Sequence, residues 1–210
     1  MVSIQSTGNW AICAHHLECR SPPDTNAGCE GVDLTIPVNE GPIYSWAKAE
    51  WSGNQMLSAR ELDDALGMKP GEVANGKKFD QGLRDVQKAY GKHGYIQAHM
   101  SPTAEFDDGT PKVTFKIAVD EGPQYHMGTV EFKGFSVDDA AILGKKWDLK
   151  SGAVYDRGYA DRFLHDDAGE ILSRIAKERQ SSGKPLPKIG TLERPNRQTL
   201  IVNLVIEIKD

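Results

Sequence analysis

Asp120-Glu121-Gly122-Pro123-Gln124-Tyr125 repeats, with two changes, an earlier stretch of the chain, Asn39-Glu40-Gly41-Pro42-Ile43-Tyr44. Both copies follow an alternating apolar run: Val113, Phe115, Ile117 and Val119 before the second, Val32, Leu34, Ile36 and Val38 before the first. Period-two alternation marks a half-buried strand, and Gly-Pro then stops it. Gly frees the backbone, while Pro fixes φ and withholds a donor. A strand that ends twice in the same acidic-Gly-Pro-x-Tyr joint points to an internal repeat, which must be settled before any other fold argument.

The repeat extends outward from the joint. At the offset of 81 residues that superimposes Tyr44 on Tyr125, Gly53 falls on Gly134, Leu62 on Leu143, Gly71 on Gly152 and Leu83 on Leu164. The register then slips to 89, where Val113, Phe115, Ile117 and Val119 meet Val202, Leu204, Ile206 and Ile208. The second copy therefore holds extra residues between its second helix and its last strands. A partial third copy precedes the first. The expected organisation is residues 1–38 as the closing strand pair of an incomplete unit, 39–120 as a full unit and 121–210 as a second, degenerate one.

Each unit reads β-α-α-β-β. In the first strand Tyr44 and Trp46 share one phase and Ala49 and Trp51 the other, which predicts a bulge between them. Ser58 with Glu61 three residues on is a capping box, and the short helix should end near Leu66. Asn75 and Asp156 stand where N-caps belong. Phe79, Leu83, Val86 and Tyr90 are spaced as one helical stripe that covers one sheet face, and Gly94 is the expected C-cap. In the second copy the stripe predicts one longer helix reaching about Ser181. Strands at 95–104 and 112–119, joined through an Asp-Gly turn, close the first unit. The fold class is α+β: tandem βααββ units, each a three-stranded sheet covered on one face by two helices.

Composition narrows the function. The chain has 210 residues, a net charge of −5 and 39% hydrophobic residues. That is a globular composition without the basic surface that nucleic acid requires. No apolar run approaches the roughly 20 residues of a membrane span. The first residues lack the basic head and apolar segment of an export signal, which leaves a cytoplasmic protein or a segment of a longer one. Cys13, Cys19 and Cys29, with His15 and His16, match no zinc spacing, so we expect no metal and no cofactor. His165-Asp166-Asp167 reads as a solvated helix face, and Gly71 to Lys78 lacks P-loop spacing. No nucleophile-base set appears, and we expect no enzyme.

The same residues resemble a known family. A strand of the form V-x-L-x-I-x-V-x-E-G-P-x-Y, then Gly53-Asn54, Leu62, Gly71-Glu72, Tyr90, Gly94-Tyr95 and Glu121-Gly122-Pro123, is similar to the polypeptide-transport-associated (POTRA) domain. The second copy departs from it, with Gly134-Phe135 for Gly-Asn and no Gly-Tyr after its helix. The resemblance covers about residues 8–210. It implies mixed sheets and a periplasmic arm of an outer-membrane β-barrel assembly or translocation factor, with signal peptide and barrel outside this chain. Such an arm would bind unfolded outer-membrane precursors or partner subunits, with no nucleic acid. The alternatives are a spacer arm that binds no client, or an unrelated cytoplasmic βααββ protein.

Two sets of residues are the candidates for function. An exposed sheet edge can accept an extended peptide as an added strand. The run Tyr95, Ile96, Gln97, Ala98, His99 and Met100 is uncharged apart from a protonatable His99, as an unguarded edge would be. Glu40, Gly41, Pro42, Glu121, Gly122 and Pro123 are expected to form the hinges between units.

Overall fold

The structure, a computed structural model, describes residues 41–209. The first unit comprises β1 (Ser45–Ser52), α1 (Ala59–Leu66), α2 (Gly76–Gly91), β2 (His99–Asp107) and β3 (Lys112–Asp120). The second comprises β4 (His126–Lys133), α3 (Val137–Lys146), α4 (Tyr159–Asp166), α5 (Gly169–Ser181), β5 (Lys188–Asn196) and β6 (Ile201–Lys209). Each sheet has three strands with the last in sequence at the centre: β1-β3-β2 and β4-β6-β5. The first strand runs parallel to the central one and the middle strand antiparallel. The predicted α+β class with two mixed sheets is the one observed.

Local chemistry sets most boundaries. Ser58 accepts from Glu61 N while the Glu61 carboxylate accepts from Ser58 N at 2.8 Å, completing the capping box. Asn75 caps α2 through Lys78 N. The bulge expected in the first strand lies between Trp46 and Lys48, and its counterpart between Met127 and Val130. The second bulge is held by the Asn203 side chain, whose Oδ1 accepts from Thr129 N at 2.9 Å. The alternation in β3 places Val113, Ile117 and Val119 in a core with Trp46, Leu62, Phe79, Val86 and Tyr90. Val202, Leu204 and Ile206 of β6 do the same with Met127, Leu143, Trp147 and Phe163.

Four expectations are corrected. The long second helix of the second unit is two helices. Ala168 N and Asp167 N both donate to Phe163 O, so the ladder closes on one carbonyl and breaks. Lys146 Nζ then satisfies the freed Asp167 carbonyl at 2.8 Å. Asp156 is not an N-cap: its carboxylate accepts from Gly158 N, and α4 begins only at Tyr159. Gly94 is not the α2 C-cap, which is Lys92. The strand expected at 95–104 begins at His99, because Tyr95 to Ala98 form a turn that carries Ile96 and Ala98 into cores. The Cys13, His15, His16, Cys19 and Cys29 reading and the incomplete unit 1–38 lie outside the described residues.

The shorter acid at the α3 start has its own use. Asp139 N donates to Ser136 Oγ at 3.1 Å, and the buried Asp139 carboxylate pairs with Arg174 of α5. The Ser136 hydroxyl and the Arg174 guanidinium hold the Asp139 carboxyl below its ordinary pKa. A depressed folded-state value gives stability that is complete above the unfolded value, about 3.9, and is lost as pH falls through the folded one. Asp139→Asn should therefore melt lower than wild type at neutral pH, begin to converge with it only below about pH 4, and meet it once pH has fallen through the depressed folded-state value. Thermal melts across that range check this; a difference that did not depend on pH would exclude the pairing as its source.

Candidate functional site

Two features could serve binding: the sheet edges and the joint between the units. In the first sheet the two edges are unequal. The first half of β1 is covered by the loop after α1, through Trp46 N to Glu72 O at 2.7 Å, Gly71 N to Trp46 O at 2.8 Å and Ala74 N to Tyr44 O at 2.9 Å. Its second half carries the Lys48–Glu50 ion pair. The second sheet repeats the cover, with Gly152 N to Met127 O and Met127 N to Ala153 O. The outer edges of β2 and β5, by contrast, receive no backbone hydrogen bond from any other described segment.

The register defines the faces of β2. Met100, Pro102, Ala104 and Phe106 pair with Val119, Ile117, Phe115 and Val113 and share the helix-covered face. Met100 and Ala104 pack on the core, while Phe106 is 60% exposed and meets Tyr44 edge-on at 4.8 Å. His99, Ser101, Thr103 and Glu105 share the open face, where Glu105 pairs with Lys116 at 2.6 Å. The free edge from His99 to Ala104 thus carries no fixed charge, and apolar side chains line its inner face.

Of the predicted edge residues, only His99 and Met100 belong to that edge. Tyr95 packs on the first core beside Tyr90, Gln97 is half-buried in the turn, and Ala98 is buried. Ile96 belongs to the core of the second unit, with Tyr125, Met127 and Tyr155. The edge continues instead through Ser101 to Asp107, a shift hidden in the sequence because 95–98 alternate in burial as a strand would.

At the joint, Glu40 lies outside the described residues, while Gly41 has φ +67° and Pro42 is exposed. Gly122 (φ +63°) donates its N–H to Asp120 Oδ1 at 3.1 Å, so Asp120 supports the turn. Glu121 reaches back and accepts from Gln55 N and Met56 N at 2.7 and 2.8 Å. Its charge, after burial, also raises the pKa of the Tyr90 hydroxyl. Pro123 is exposed. A second connection, which spacing did not reveal, flanks this turn. Tyr125 N donates to Gly94 O at 2.9 Å, Gln124 Nε2 to His93 O at 3.0 Å and Arg157 N to Gly91 O at 3.0 Å. The Arg157 side chain grips both Glu193 carboxylate oxygens and reaches Ile96 O, and Tyr155 Oη donates to Glu193 at 2.9 Å. Burial and the Glu193 charge raise the Tyr155 pKa, and the Glu193 hydrogen bonds raise that of Arg157. Arg157 and Glu193 lie too far apart in sequence for any local pattern to pair them.

The POTRA family, described as the surface antigen variable number repeat, matches residues 44–122. That match spans the first unit. Its fold agrees with solved POTRA structures: the POTRA3-5 crystal structure from Haemophilus influenzae BamA has a TM-score of 0.56 at 18% identity, covering 82% of this chain and 63% of that one. BamA from Haemophilus ducreyi lacking POTRA domains 1-3 also has a TM-score of 0.56, at 16% identity over 80% of this chain and 29% of that one. Among curated relatives, the outer membrane protein assembly factor BamA of Neisseria meningitidis is 28% identical over 200 residues, 90% of this chain and 24% of that protein. A putative outer membrane protein assembly factor of Treponema pallidum is 29% identical over 133 residues, 63% of this chain and 16% of that protein. The chain therefore spans at most about a quarter of the length of these two relatives. Among its described residues no helix is long and apolar enough to cross a membrane, and no His, Cys, Asp and Glu group could hold a metal ion.

Proposed function

We propose that this chain is a periplasmic arm of an outer-membrane protein assembly or translocation factor, divided into POTRA units at 39–120 and 121–210 after the end of a preceding unit at 1–38. It acts by binding, not by catalysis, and holds extended segments of unfolded outer-membrane precursors or assembly partners by strand addition at β2. The observation that carries this reading is the asymmetry of the sheet edges. The β1 edge is half covered and half charged, whereas His99 to Ala104 is an uncharged run whose outer main-chain groups receive no bond from any other described segment. Main-chain hydrogen bonds to an added strand give affinity with little side-chain selectivity, which suits a module that handles many sequences. The kinship with assembly factors supports the cellular setting.

Titration of the isotope-labelled chain with neutral peptides of alternating apolar and polar residues tests the site. Amide shifts should concentrate on 99–107 and leave 45–52 unmoved. An absence of shifts at millimolar peptide would reduce the arm to a spacer, and shifts centred on β1 would place the site on the wrong edge.

A further inference from the structure

The edge of β5 stands in the second sheet where β2 stands in the first, and its charge is different. At the offset of 89 residues, Lys188 takes the place of His99, Leu192 that of Thr103 and Arg194 that of Glu105. Pairing with β6 sets Lys188, Gly190, Leu192, Arg194 and Asn196 on the open face of the sheet. Lys188 and Arg194 are exposed, and Leu192 is 46% exposed between them. Lys184 and Arg197 flank the strand. None of these four cations has an ion-pair partner among the described residues. The acids nearest in register are already engaged: Glu193 is held by Arg157 and Tyr155, and Glu207 by Lys209 at 2.6 Å. Lys188 also lies directly opposite Lys209, and like charges in that relation destabilise a sheet. A carboxylate from outside would relieve the contact.

We infer that β5 is a second strand-addition edge, selective for an extended acidic segment of a partner protein that carries two carboxylates six residues apart with an apolar side chain between them. The spacing follows from Lys188, Leu192 and Arg194 on one face of a period-two strand. The inference rests on the strand-addition reading of β2 and adds a division of labour: β2 takes neutral segments, and β5 takes acidic ones that its cations steer and hold. The cations on an acidic chain of net charge −5 are thereby given a use. Had they served only to guard the edge against pairing, an acidic peptide would be ignored along with every other.

The test uses the full chain, isotope-labelled, with a peptide of alternating residues bearing Glu at the two matching positions and Leu between, and a twin with Lys for Glu. The acidic peptide should shift the amides of 188–196, weaken as salt rises, and bind about tenfold less tightly to a Lys188→Glu, Arg194→Glu double variant, as two exposed ion pairs allow. The Lys twin should leave β5 unmoved. If neutral peptide moves β2 while the acidic one leaves β5 unmoved, this inference fails and the reading of β2 stands. Silence at both edges ends both. Phosphatidylglycerol vesicles broadening β5 where peptide does not would assign the cations to a lipid surface. Shifts on β5 that grow with protein concentration alone would assign the edge to a second copy. Either result overturns the proposal.

Discussion

Gly82→Ala should lower the melting temperature by about 2–8 °C, against the rule that alanine strengthens a helix. Gly82 lies in the middle of α2 and is buried against the end of α1. A Cβ built there would overlap the Leu66 carbonyl oxygen and stand 3.0 Å from both Leu66 C and Leu66 Cδ1. The side chain could turn away, but the carbonyl is backbone and cannot. Two terms compete. Alanine gains up to about 1 kcal/mol in helix propensity, while overpacking costs about 1–3 kcal/mol and more where backbone must move. The overlap is with backbone, so the cost wins, by about 1–2 kcal/mol net, which for a chain of this size is about 2–4 °C per kcal/mol. An unchanged or raised melting temperature would show that α1 and α2 can separate freely and that their close approach is not needed.

Ile96→Ala should cost about 2–4 kcal/mol, the range for a buried aliphatic truncation, and should also free the angle between the units. Ile96 is 6% exposed, although it sits on a turn of the first unit, because the second unit's core surrounds it. Truncation leaves a void beside Tyr125 and Tyr155 and loosens the turn whose carbonyl Arg157 holds. Gly94 reinforces the same contact: with φ +83° and an ideal Cβ only 2.6 Å from Tyr125 O, it lets the two backbones meet. Small-angle scattering of the variant should show a broader distribution of distances than wild type. A variant that is destabilised but keeps the wild-type scattering curve would move the restraint from Ile96 to the Arg157–Glu193 pair and the main-chain bonds.

The sequence made much of this legible wherever structure is local. The Ser58–Glu61 box, the Asn75 cap, the Trp46 bulge and the β3 alternation each depend on residues within a few positions, and each was found where expected. The misreadings share one cause, which is tertiary override. Tyr95 to Ala98 alternate like a strand because alternate side chains serve two different cores, not the two faces of one sheet. The helix that continues in pattern through Asp167 breaks there, and a lysine from another helix, Lys146, meets the exposed carbonyl. The pairs that matter at the joint and in the α3 start, Arg157 with Glu193 and Arg174 with Asp139, cross 36 and 35 residues, beyond any spacing rule. The joint motif itself was legible as a unit boundary, but not as a place where Glu121 ties down the loop at Gln55 and Met56.

The position of Ile96 also governs how the chain can be divided. A fragment begun at Glu121 would inherit every strand and helix of its unit yet lack the side chain that plugs its interior, so its intrinsic stability would understate what it has in place. At this junction the first module lends a residue to the second, and free energy is shared between neighbours as in a one-dimensional chain of coupled elements. Order gained in the first unit is then passed to the second, and the two melt as linked steps instead of as separate beads.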